Sequence, residues 1–196
     1  MSQDSIRNFV DKLPYQQYLS EEIKRKIESH SKIITLNGKT ELQPIGSTCK
    51  TIYFVIEGAA RIFYYKNGTE VTDFFAVEGN ILIRSESLFK NQPTKKGIES
   101  IIKSKFLAID ALAIFALFNE YNDLERWFNL LIQDVLMEYI QRIEHFQICS
   151  PEERYLQLIA ELPQIIKIIP LKFVASYLGV TQVSLSRIRS RIVKLK

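Results

Sequence analysis

Residues 169–189 read IPLKFVASYLGVTQVSLSRIR, a pattern typical of two short helices joined by a tight turn. Gly179 can adopt the positive φ that ends the first helix, and Thr181 can cap the second. Leu185 and Ile188 lie three residues apart, so they share one face of that second helix. The stretch therefore predicts a helix-turn-helix.

The second helix, expected over 181–194, would expose side chains that can hydrogen-bond the edges of DNA bases. Glutamine can pair with adenine, arginine with guanine, valine contacts a thymine methyl, and serine serves bases or phosphates. From Lys172 to the last residue the chain carries six cations and no acid, a net +6 in 25 residues, whereas the rest sums to −2. This asymmetry indicates double-stranded DNA as the partner, the alternative being an unrelated helical hairpin with a solvated basic face. The expected contact residues are Lys172, Thr181, Gln182, Val183, Ser184, Ser186, Arg187, Arg189, Ser190, Arg191 and Lys194.

Composition excludes several classes of protein. The 196 residues are 46% apolar and 24% charged, as in ordinary globular domains. The longest apolar run, 111–118, is too short to span a membrane, and the first residues lack the apolar core of a signal peptide. We therefore expect a cytoplasmic protein. Two cysteines, Cys49 and Cys149, and two histidines, His30 and His145, allow neither a disulfide framework nor a multi-histidine metal centre, so we expect no metal or cofactor.

An enzyme of the cupin type is the main catalytic alternative, because a β-roll can hold a metal through histidines and a carboxylate. No histidine lies between Ser31 and Glu144. The chain also has neither the phosphate loop G-x-x-x-x-G-K nor the nucleophile elbow G-x-S-x-G. We therefore expect a protein that is not an enzyme.

The middle of the chain has a sequence pattern typical of β-strands. Residues 3–29 have a helical pattern, and 30–110 consists of short β-rich runs separated by glycine turns at the spacing of a sandwich or barrel. The clearest piece is a hairpin, in which Asn67-Gly68 separates the alternating runs 60–65 and 70–75. The expected architecture is α+β, with a jelly-roll β-roll followed by helices.

One long helix is predicted over 119–149, since neither glycine nor proline interrupts it. Leu124, Phe128, Leu131 and Val135 follow near-heptad spacing, and other apolar residues flank them. So broad a stripe fits a helix that covers its own β-roll and also meets a second subunit through these four residues. A core helix in a monomer is the alternative.

A domain boundary is predicted after the long helix. Ser150 can cap the next helix, with Pro151 at its first position and two glutamates in its first turn. The expected division is a β-roll sensor domain (1–118), a connecting and dimerisation helix (119–149) and a helix-turn-helix domain (150–196).

This order of elements resembles the Crp/Fnr family of bacterial transcription regulators. Residues 170–181 and 185–189 look particularly like the branch of that family common in Bacteroidetes, and the resemblance covers essentially the whole chain. It implies a cyclic-nucleotide-binding-like β-roll and a winged-helix-like carboxyl end, with the wing reduced because the chain stops at Lys196. It also implies a homodimer joined along the long helix, a near-palindromic operator and contact with RNA polymerase.

The chain departs from the family's cyclic-nucleotide cassette. Arg84 stands where the family's ribose-binding glutamate is expected, and the later segment with Lys95 and Lys96 lacks the phosphate-binding arginine. We therefore do not expect cyclic AMP to bind in the family manner. Arg84, Ser85, Lys95 and Lys96 form a candidate pocket for another anionic effector, although loop lysines are often merely solvated. The alternative function is an adaptor that binds a cyclic nucleotide or another small ligand without binding DNA.

Overall fold

The computed structural model describes the backbone of residues 3–163 and 165–194, and the side chains of residues 6–163 and 167–192. The amino end forms two helices, α1 (Gln3–Val10) and α2 (Glu21–Ser29), separated by a short 3₁₀ turn at Gln16–Tyr18. Ser20 caps α2, because its Oγ accepts the Ile23 N–H at 3.3 Å.

Two antiparallel sheets of four strands each follow, and they pack as a jelly-roll-like β-roll that does not close into a barrel. The strands are β1 (Ser31–Leu36), β2 (Thr40–Gln43), β3 (Thr51–Glu57), β4 (Ala59–Lys66), β5 (Thr69–Val77), β6 (Ile81–Leu82), β7 (Gly97–Ser100) and β8 (Ser104–Asp110). The strand orders are β1-β8-β3-β6 and β2-β7-β4-β5. The predicted α+β class is confirmed.

The β4–β5 hairpin has the predicted turn. Lys66 pairs with Thr69, and the two residues between them, Asn67 and Gly68, have φ values of +50° and +74°. Positive φ at both positions matches a type I′ turn, whose twist suits the flanking strands.

The helices after β5 are α3 (Ser85–Lys90), α4 (Ala111–Ala116), α5 (Asn122–Ile148), α6 (Pro151–Glu161), α7 (Ile165–Ile168), α8 (Leu171–Tyr177) and α9 (Gln182–Lys194). The long helix α5 begins three residues after the predicted start. Ser150 caps α6 as predicted and forms a capping box with Glu153. Among the described helices, none is both long and apolar enough to cross a membrane.

The first half of α5 belongs to the main core. Leu124, Phe128 and Leu131 are almost completely buried in a core of their own chain that combines the amino-terminal helices, α4 and strands β3 and β8, and Val135 is half-buried. The prediction that these residues form a dimer interface is therefore wrong for the first three, because other residues of the same chain already cover them. Further along α5, a different apolar stripe is exposed, made of Leu136, Ile140 and Ile143.

Candidate nucleic-acid interface

Helices α8 and α9 form the predicted helix-turn-helix. Gly179 has φ +70°, and Thr181 Oγ1 accepts the Ser184 N–H at 3.1 Å, which caps α9. Leu185 and Ile188 are buried at 0% and 4% exposure, so the predicted inner face of α9 is confirmed. Helices α8 and α9 therefore pack against each other through apolar side chains, and the opposite side of α9 is a defined outer face.

The outer face of α9 is polar and basic. Each predicted contact residue whose side chain is described is exposed, and α9 contains no acid. Two of these cations lie near acids at the surface: Arg191 Nη2 is 3.2 Å from Glu152 Oε2, and Lys172 Nζ is 3.9 Å from Glu70 Oε2. Lys194 ends α9, but its side chain lies outside the described residues. The face combines base-reading groups with cations, as a helix in a major groove requires.

The helix-turn-helix packs directly on the β-roll, through contacts between α8 and strand β5. The Thr72 N–H donates to Ser176 Oγ at 2.9 Å, and the rings of Phe75 and Tyr177 lie 4.9 Å apart. Burial raises the pKa of Tyr177. The sequence alone does not indicate this contact, because no local pattern links residues about a hundred positions apart.

Arg61 on β4 lies at the centre of this contact and is only 1% exposed. Its Nε donates to Glu99 at 2.6 Å and its Nη1 to Thr72 Oγ1 at 3.0 Å, while its Nη2 is paired with Glu70. Its guanidinium carbon lies 3.6 Å from the ring centroid of Phe173 on α8. Burial lowers the pKa of Arg61, and the hydrogen bond to Glu99 opposes that shift. A buried cation thus joins both sides of the contact.

Two more arginines hold the end of α8 from the other side. Arg142 of α5 donates to the Tyr177 carbonyl at 3.2 Å, and Arg154 of α6 donates to the Leu178 carbonyl at 3.0 Å. Carbonyls at a helix C-terminus lack intrahelical partners and carry the negative end of the helix dipole, so cationic donors stabilise them. The long helix and α6 therefore help to set the position of the helix-turn-helix.

The four candidate effector residues are not one cluster of free cations. Lys96 Nζ lies 2.7 Å from Asp73 Oδ2, and the Tyr139 hydroxyl donates to the same oxygen at 3.4 Å. Burial raises the pKa of Tyr139, and Asp73 adds to the shift. Lys95 is exposed. Arg84 and Ser85 lie at the start of α3, where the buried Nε of Arg84 has no hydrogen-bond partner among the described residues. An effector at this position stays a prediction.

Comparisons with known proteins return structural neighbours alone. No protein-family model matches the chain, and no curated protein is similar to it in sequence. A solved structure from Eubacterium rectale, assigned to the Crp/Fnr family of transcriptional regulators, is 16% identical and has a TM-score of 0.74, covering 94% of this chain and 88% of its own. The chain has the Crp/Fnr fold.

Two further structures with this fold support the assignment. FixK2 from Bradyrhizobium japonicum has a TM-score of 0.73 at 14% identity and covers 84% of this chain and 85% of its own. A CooA mutant from Carboxydothermus hydrogenoformans has a TM-score of 0.68 at 14% identity, with coverage of 94% and 86%. The Crp/Fnr fold therefore extends over both the β-roll and the helix-turn-helix.

Proposed function

We propose that the protein is a sequence-specific, DNA-binding transcription regulator of the Crp/Fnr type that has no catalytic activity. The observation that carries the proposal is the outer face of α9, which is exposed, free of acids and mounted on a packed helix-turn-helix. Gln182, Ser186 and Arg187 would read base edges, and Arg189 and Arg191 would contact phosphates. The likeness in fold to regulators supports this assignment.

We further propose that the protein is a homodimer joined through the second half of α5. Leu136, Ile140 and Ile143 recur at spacings of four and three residues and are 56%, 38% and 56% exposed. A stripe with this spacing suits a parallel helix pair, which buries it in both copies at once. The two α9 helices would then enter successive major grooves about 34 Å apart, and a near-palindromic operator follows from the symmetry.

Each segment of the chain has its own proposed function. Residues 1–118 form the β-roll sensor, 119–149 connect and dimerise, and 150–196 bind DNA, with RNA polymerase as the further partner of the bound regulator. An effector would act by changing how α5 and the β-roll orient the two copies of α9.

Selection of bound fragments from random duplex DNA tests the proposal, with the purified full chain and a series of salt concentrations. We expect a palindromic motif whose affinity falls steeply with salt, because phosphate contacts release counterions. If no motif is enriched at any salt concentration, the result would contradict constitutive DNA binding and favour the alternative of an adaptor that does not bind DNA.

Two substitutions on α9 distinguish base recognition from contacts with the phosphate backbone. Arg187→Ala should weaken binding to the selected site by about 1–3 kcal/mol and relax one base position, whereas Arg191→Ala should weaken all sequences alike. Binding to the selected duplex and to a scrambled duplex is measured for both variants. An identical, uniform loss in the two variants would show that the base-reading face has been placed wrongly.

A further inference from the structure

The tip of the β4–β5 hairpin lies beside the DNA-facing end of the helix-turn-helix. Lys66 and Thr69 of the hairpin line the same groove as Thr181, Gln182 and Ser184 at the start of α9. The proposed function places this end of α9 in the major groove. The hairpin is thus next to the surface where DNA would lie, although it belongs to the β-roll.

The hairpin is held firmly in this position. Ser176 of α8 accepts the Thr72 N–H at 2.9 Å, and the guanidinium of Arg61 stacks 3.6 Å from the Phe173 ring centroid. The hairpin turn has the positive φ values of a type I′ turn, whose twist matches that of the paired strands β4 and β5. A rigid element can make a DNA contact without the entropic cost of first becoming ordered.

The charges in the groove favour an anion near Lys66. The acid on this wall, Glu70, is already paired with the buried Arg61 and has Lys172 Nζ at 3.9 Å. Lys66 is exposed and forms no salt bridge within the part of the chain that the structure describes. The hairpin therefore offers an uncompensated cation on the same side as the start of α9.

From this arrangement we infer that the β4–β5 hairpin is a second DNA-contacting element, in which Lys66 binds a backbone phosphate beside the groove that α9 enters. The inference rests on the proposed function and extends the DNA footprint from the helix-turn-helix to the β-roll. Rows of phosphates border the major groove, which is about 12 Å wide, so an element beside an inserted helix faces one of these rows. A phosphate contact adds affinity but no sequence information.

The test measures the affinity of the full-length protein for the duplex enriched by selection, and for a scrambled duplex, between 50 and 200 mM salt. The variants are Lys66→Ala, Lys66→Arg and, as a matched control, Lys32→Ala, which removes an exposed lysine from β1 in the other sheet. Thermal unfolding of each variant checks that the fold is intact.

Loss of one phosphate contact should lower the slope of log affinity against log salt by about 0.9. Because the proposed homodimer carries Lys66 twice, Lys66→Ala should remove two contacts and about 1.8 from the slope, so the affinity advantage of the wild type should shrink about 12-fold between 50 and 200 mM salt, equally for both duplexes. Lys66→Arg should keep the wild-type slope, because it keeps the charge.

Three outcomes are distinguishable. If Lys66→Ala has the same slope as the wild type and Lys32→Ala, the hairpin does not bind DNA and the inference fails while the proposed function stands. If Lys66→Ala binds more tightly, the hairpin obstructs DNA and the inference is overturned. If the wild type binds no duplex at all, the proposed function fails and the inference falls with it.

Discussion

Replacing Arg61 by methionine tests how the helix-turn-helix is held against the β-roll. Arg61 is 1% exposed, and the side chains of its partners Glu70 and Glu99 are 28% and 14% exposed. Methionine fills much of the same volume but leaves both carboxylates without their buried cation. Removing one partner from a buried ion pair costs about 3–5 kcal/mol, and the remaining access of Glu70 to water places our expectation near the lower end, about 3 kcal/mol.

Urea unfolding of the full chain measures this loss. With a denaturant slope of about 1–3 kcal/mol per molar urea, a loss of about 3 kcal/mol lowers the unfolding midpoint by about 1–3 M. Lys105→Met is the matched control, since it breaks the exposed pair between Lys105 and Glu57 and should change stability by less than about 1 kcal/mol.

A triple variant separates the uncompensated charge from a loss of packing. Arg61→Met combined with Glu70→Gln and Glu99→Gln leaves no buried carboxylate unpaired, so it should recover most of the lost stability. A cost below about 1 kcal/mol for Arg61→Met alone, or a triple variant no more stable than the single one, would show that Arg61 does not stabilise the fold by neutralising these carboxylates.

Three more predictions follow from particular contacts. Gly179→Ala should lower the free energy of unfolding by about 1–2 kcal/mol, because residue 179 has a positive φ. In urea unfolding the loss should exceed that of Gly68→Ala, because a Cβ at residue 179 would lie 3.0 Å from the Phe146 ring, whereas a Cβ at residue 68 meets open space. The hydrogen bond from the Ser150 N–H lowers the pKa of Glu153, so this carboxylate stabilises the fold above the ordinary pKa of a glutamate and loses this effect as the pH falls through its lowered pKa. Glu153→Gln should therefore reduce the stability difference between neutral and acidic pH, and an unchanged difference in urea unfolding at the two pH values would contradict this. Ile140→Glu should convert the proposed homodimer to a monomer in sedimentation velocity, whereas a dimer that persists would contradict an interface in the second half of α5.

The helix-turn-helix and its local geometry are predictable from the residues themselves. Gly179, Thr181 and Ser150 act through the conformation or hydrogen bonding of their own backbone segment, so a short stretch of sequence is enough to place them. Asn67-Gly68 identifies the β4–β5 hairpin for the same reason. The outer face of α9 also follows from sequence, because the buried positions Leu185 and Ile188 define the opposite side of the helix.

These elements, their order along the chain and the basic character of the carboxyl end follow from the residues alone. Which stripe of α5 packs into the core of its own chain depends on the assembled fold, since both stripes are apolar and periodicity defines the faces of a helix but not the surface that covers each face. The role of Arg61 was likewise decided by folding, because its partners Glu70, Glu99 and Phe173 come from distant segments. A contact of this kind depends on strand register and on the docking of α8, which are properties of the assembled core and of no single stretch of the chain.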